Sequence, residues 1–146
     1  MDIIIGSDHA GFDLKEEIRG FLSEKGDYSV KDLGAFSHEP ADYPIIAHEL
    51  AKNISEKKFK RGILLCGSGI GMSIVANRYR NVRAALCHNL YTVRLSRKHN
   101  DANILVLGGR VLGVGLALEM VDLFLGTDFE GGRHQRRVEE IESKGK

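Results

Sequence analysis

At 146 residues, 42% of them hydrophobic and 28% charged, the chain is long enough for one well-packed domain and ordinary for a soluble globular protein. A net charge of +1 gives no support for a general nucleic-acid binder. Cys66 and Cys87, without CxxC spacing, suggest reduced thiols, and the opening Met1-Asp2-Ile3-Ile4-Ile5-Gly6 lacks the basic region and apolar length of a signal peptide or membrane span. A cytoplasmic protein is expected.

Apolar runs alternate with amphipathic stretches, the rhythm of an α/β fold. Ile3 to Ile5 is a first buried strand, and Phe12 to Lys25 a helix with Leu14, Ile18, Phe21 and Leu22 at helical spacing, stopped by Gly26. Tyr28 to Leu33 is a second strand. Tyr43 to Lys57 is a second helix, opened by Asp42 and Pro44 and apolar through Ile46, Leu50 and Ile54. Arg61 to Cys66 reads as a third strand and Met72 to Tyr79 as a helix. Val82 to Cys87, a helix from about 90 to 99, the strand Ile104 to Leu107, and a helix turning Leu116, Met120, Leu123 and Phe124 inward complete the series. Five strands with crossover helices predict a doubly wound, mainly parallel sheet of Rossmann-like type. One domain over 1–146 is expected, with a C-terminal helical extension over about 129–146 reaching a partner subunit.

Ligands in such sheets sit outside the carboxyl ends of the strands. After the third strand comes Cys66-Gly67-Ser68-Gly69-Ile70-Gly71-Met72-Ser73, a thiol followed by three glycines at alternate positions. Such a turn into a helix offers free N–H groups to an anion, and a thiol in that field is a candidate reactive thiolate. The same segment therefore offers a base and an oxyanion cradle. A buried cysteine that acts only as a small hydrophobe is the plainer alternative, and the better one for Cys87. A dinucleotide fingerprint fails, because position 72 is Met and no acidic residue occurs between Leu86 and Val93. A Walker loop fails too, since no Gly-Lys-Ser/Thr follows.

Ser7-Asp8-His9-Ala10-Gly11 after the first strand, His99-Asn100-Asp101 before the fifth and Gly108-Gly109-Arg110 after it can converge with the glycine loop. Asp8 suits capping of the first helix as well as a ligand role, and His99 suits the surface as well as a site. Arg133 and Arg137, four apart behind Gly131-Gly132, share a helix face and fit phosphate oxygens; pairing with Glu139 and Glu140 on a solvated helix is the alternative. Val138 and Ile141 are that helix's two apolar anchors, which favours docking on another subunit. No His/Cys/carboxylate spacing forms a recognisable metal site.

Ser7-Asp8-His9-Ala10-Gly11, Asp42-Tyr43-Pro44, the Cys66 to Ser73 run, Ala76-Asn77-Arg78, Ser96-Arg97-Lys98-His99-Asn100 and Gly131-Gly132-Arg133-His134 together resemble the type B ribose-5-phosphate isomerases and the related allose-6-phosphate and galactose-6-phosphate isomerases. The likeness spans nearly the whole chain. It implies interconversion of D-ribose 5-phosphate and D-ribulose 5-phosphate in the pentose phosphate pathway without metal or organic cofactor, by a homodimer or homotetramer whose sites are built from two subunits. Neither nucleic acid nor membrane is an implied partner. By the same resemblance Cys66 is the base, Gly67, Ser68, Gly69, Ile70 and Gly71 hold the developing oxyanion, and His99 opens the furanose ring. Asp8, His9, Tyr43 and Asn100 meet the sugar, and Arg110, Arg133 and Arg137 hold the phosphate. Ser68 stands where many relatives have threonine, which bears on substrate breadth. In another branch the base is a glutamate at the position of Met72, so this chain falls in the cysteine branch.

Overall fold

Strands that are apolar at every position need cover on both faces of their sheet. The computed structural model, which describes residues 1–144, provides it. In chain order the elements are β1 (Asp2–Ser7), α1 (Phe12–Lys25), β2 (Ser29–Asp32), α2 (Tyr43–Ser55), β3 (Arg61–Cys66), α3 (Ile70–Ala76), β4 (Ala84–Leu86), α4 (Leu90–Lys98), β5 (Ile104–Gly108), α5 (Val114–Gly126) and α6 (Arg133–Lys144), with a 3-10 turn at His9–Gly11. The strands form one sheet in the order β2-β1-β3-β5-β4, parallel throughout.

Strand alternation divides the core into two layers. Ile3, Ile5, Ile63, Leu65, Leu105 and Leu107 meet Leu14, Ile18, Val93, Met120 and Phe124 on one side. Ile4, Leu64, Cys66, Ile104 and Val106 meet Leu50, Ile54, Met72 and Val75 on the other. Burying each large side chain contributes about 1.5–3 kcal/mol, so the three central strands dominate the packing. Lys15 is fully buried within α1 and places Nζ 2.6 Å from Asp32 at the end of β2, a pairing that burial makes obligatory.

The helix α1 has the expected bounds, and Gly26 caps it in the left-handed region at φ 75°. Elsewhere local contacts move the boundaries. The helix α3 starts earlier than expected, because Ser73 N–H already reaches Gly69 O, and stops earlier, because the Asn77 side chain exchanges two hydrogen bonds with the Ala84 backbone. β4 shrinks to three residues; among the described residues it pairs only with β5. In α5 the inward positions are Ala117, Met120, Val121, Phe124 and Leu125; Leu116 is exposed, contrary to expectation, because the buried stripe runs along the neighbouring face.

The C-terminal helix α6 lies on its own chain. His134 and Val138 form its buried face, while Glu142 accepts from the Asn81 backbone N–H and pairs with Arg83. Ile141, the other apolar anchor, stays half exposed. The last two positions of the expected extension lie outside the described residues.

Candidate active site

The chain passes from β1 outward to β2 and then crosses to β3, so the order reverses between β1 and β3, where an α/β sheet opens a crevice at its carboxyl edge. A cleft of about 700 Å³ lies there, with Asp8, Tyr43, Cys66, Ser68, Gly71 and Arg110 among its walls. Asp8 is buried, and its Oδ1 accepts the N–H groups of Ala10 at 3.0 Å and Gly11 at 3.1 Å. It therefore caps the 3-10 turn rather than α1, whose N-cap is Gly11. His9 follows on that turn, and its Nδ1 accepts the Ala41 N–H at 3.1 Å, tying the segment before α2 to this edge.

Cys66 ends β3 with its side chain 5% exposed, and Gly69 N–H donates to Sγ at 3.1 Å, a bond that a thiolate accepts better than a thiol. The three glycines differ in what they require. Gly69 has φ +84°, and a Cβ there would lie 2.5 Å from Leu86 Cδ1. At Gly71 a Cβ would lie 2.5 Å from the Tyr43 ring, so that glycine lets the aromatic side chain close one wall. A Cβ on Gly67 would meet ordinary contacts only, the nearest being Ala10 Cβ and the Arg110 side chain at 3.6 Å.

The donors of the loop are likewise unequal. Gly69 N–H is engaged by Cys66, and Ile70 N–H donates to Ser68 Oγ at 3.2 Å. The N–H groups of Gly67, Ser68 and Gly71 have no hydrogen-bond partner among the described residues, so these three remain for an incoming oxyanion. Arg110 is anchored by its N–H to Gly67 O at 3.0 Å and forms no ion pair among the described residues. Its guanidinium is thus left open to an anion at the cleft.

His99, Asn100, Arg133 and Arg137 do not join this group within one chain. β5 pairs Ile104 with Gly62 at the start of β3 and Gly108 with Cys66 at its end. His99 precedes Ile104 and so belongs to the amino edge, with four residues of strand, roughly 13 Å, between Ile104 and the end that carries the thiol. Of the four segments expected to converge, those that follow β1, β3 and β5 meet at the cleft within one chain, and the one before β5 does not. His99 stacks on His134 with ring centroids 4.1 Å apart and 12° between planes. Asn100 O accepts Arg83 Nε at 3.1 Å. Arg133 and Arg137 are exposed, and neither pairs with a carboxylate among the described residues; on α6 it is Arg136 that reaches Glu140, at 3.5 Å.

His134 is the residue that sequence reasoning left without a role. Its spacing of four from Val138 is the signal that could have found it as an inward position. Burial, then the adjoining His99 and Arg133, hold its imidazole below the usual histidine value. Cys87 is buried in the opposite core layer, where burial pushes its thiol up.

Residues 3–141 match the family model described as Ribose/Galactose Isomerase. The chain belongs to this family. It is 48% identical over 95% of its length to ribose-5-phosphate isomerase B of Escherichia coli, covering 93% of that protein. It is 45% identical to the D-erythrulose-4-phosphate isomerase of Pectobacterium atrosepticum, over 97% of this chain and 93% of that one. The solved structure of ribose-5-phosphate isomerase B from Clostridium thermocellum superposes with a TM-score of 0.95 at 49% identity, covering 99% of this chain and 97% of the other. The doubly wound parallel sheet is thus the architecture of the isomerase family. No helix among the described residues is long and apolar enough to cross a membrane.

Proposed function

We propose that this chain interconverts D-ribose 5-phosphate and D-ribulose 5-phosphate, with Cys66 as the base, in sites that two copies of the chain complete. The observation that carries the chemistry is a buried thiol opening on a cleft beside three N–H groups and an arginine that have no partner among the described residues, in a chain so closely related to ribose-5-phosphate isomerase B. The thiolate takes the proton from C2 of the open aldose, and the electron pair moves through the C1–C2 bond onto the carbonyl oxygen to give an enediolate. The Gly67, Ser68 and Gly71 N–H groups stabilise that charge. Return of the proton to C1, with transfer of the hydroxyl proton from O2 to O1, gives the ketose. Asp8, His9, Tyr43, Ser68 and Arg110 line the substrate.

A second copy supplies what one chain holds at its far edge. His99 acts on the ring oxygen and the anomeric hydroxyl to open the furanose, a proton exchange suited to imidazole near neutral pH, with Asn100 beside it. Arg133 and Arg137 clamp the phosphate and so orient the reacting carbons. The exposed Ile70, Ile74 and Val111 at the cleft rim are apolar surface that such a copy would cover. The contacts of α6 with His99, Asn81 and Arg83 of its own chain support this division of labour, because they hold both arginines at the amino edge.

The test is a panel of four-, five- and six-carbon aldose and ketose phosphates followed by NMR in deuterated water. Turnover of ribose 5-phosphate, with deuterium entering the carbon beside the carbonyl, is the expected result. The Pectobacterium relative favours one second reading, preference for a four-carbon ketose phosphate, which the same panel would reveal. Inactivity on every member would refute the reading. Arg133→Ala and Arg137→Ala should each raise KM about ten- to a hundredfold, the worth of charge-assisted hydrogen bonds to phosphate. Unchanged KM in both would leave α6 a solvated helix.

A further inference from the structure

The amino edge carries a cluster in which His99 alone has a part in the proposed isomerase reaction. The Glu130 N–H donates to Lys98 O at 3.1 Å, which pins the segment before α6 to the end of α4. Gly131 and Gly132 follow at φ 68° and 55°, a left-handed pair that turns the chain back so that His134 lies over the same spot. The Glu130 carboxylate is then 3.6 Å from His134 Nε2. The side chain of His134 is more than nine-tenths buried, yet its Nε2 has no hydrogen-bond partner among the described residues. One donor atom from each of His99, Glu130 and His134 lies within 4.8 Å of the other two.

From this cluster we infer an inhibitory site for a zinc-class divalent cation, bound by the His99 and His134 imidazoles and the Glu130 carboxylate. Two imidazoles and one carboxylate with an open fourth position suit such an ion, whereas magnesium and calcium favour all-oxygen sets. Zn–N and Zn–O bonds of about 2.0–2.2 Å bring donors to within roughly 3.5 Å of one another, so the cluster contracts by about an ångström on binding. Nearly parallel rings direct their lone pairs side by side rather than at one point. One ring must therefore turn, and it is His99, only half buried, that has room to do so. The exposed Glu130 marks the entrance.

The ion would hold the His99 lone pair and take that imidazole out of ring opening. Inhibition thus rests on the isomerase reading, while binding does not. Removing the thiol removes the competing soft ligand, so the test begins with Zn²⁺ titrated calorimetrically into full-length Cys66→Ala. One ion per chain is expected. Adding Glu130→Gln or His134→Gln should weaken binding at least tenfold, since loss of an outer-shell partner alone costs about 10–100-fold. In the wild type, Zn²⁺ should suppress turnover and a chelator restore it. Glu130→Gln should keep its basal turnover and resist the metal. Absence of binding to Cys66→Ala, or binding that neither second substitution weakens, would overturn the proposal. An enzyme inactive on every sugar phosphate would remove the inhibitory role and leave the binding result to decide the site.

Discussion

Cys66→Ala is expected to lose at least about a hundredfold in turnover, because a positioned base contributes about 10²–10⁴-fold and nothing else in the cleft can replace a thiolate at that point. Substrate binding should persist, since the phosphate clamp is untouched. Cys87→Ala should stay active. Iodoacetamide should inactivate the wild type at Cys66 and spare Cys87, whose buried thiol is held in the unreactive protonated form. Bound ribose 5-phosphate should slow the inactivation. The assay is turnover beside peptide mapping of the alkylated residue, and near-normal activity in Cys66→Ala would sink the assignment of the base.

Mixing Cys66→Ala with His99→Asn, each inactive or nearly so alone, should recover activity once subunits exchange. Random exchange makes half of the dimers mixed, and each of these holds one restored site and one doubly damaged site. The ceiling is therefore about a quarter of wild-type activity for a two-fold dimer, or for a tetramer of such dimers. The sheet register motivates the experiment, because Gly62 and Cys66 mark opposite edges and His99 stands at the first. Exchange confirmed by mass spectrometry without recovered activity would put His99 and Cys66 to work in one subunit, against the shared-site proposal.

Half of the candidate site was legible because one rule governs it. Every residue that follows a strand in a parallel sheet emerges at the carboxyl edge, so Asp8, Cys66 and Arg110 could be gathered from strand ends alone. The same rule, applied to the residue before a strand, sends His99 to the amino edge; only an assumption of convergence brought it across. Strand and helix identities followed from periodicity, and Gly26 and the Cys66 loop marked their ends correctly. Leu116 was misplaced because α5 is apolar on more than one face, so the pattern does not choose a stripe. His134 was hidden in a run of charges, where a buried imidazole reads as another polar residue. Glu130 and His134 stand four apart, but the third member of their cluster, His99, is brought in by the backbone hydrogen bond between Lys98 and Glu130, which no spacing announces.

The strand order carries a consequence for biosynthesis. β5 is the last strand of the sheet to leave the ribosome, yet it lies between β3 and β4, and among the described residues β4 pairs with nothing else. Until Ile104 to Gly108 is free, the nascent chain can close only the β2-β1-β3 half, with the apolar β3 edge unpaired and β4 without a neighbour. Unpaired apolar edges invite association with other chains. Completion of the sheet, and with it the placing of Arg110 beside the thiol, therefore waits for most of the polypeptide to be made, and the vulnerable interval for this protein falls late in its own synthesis.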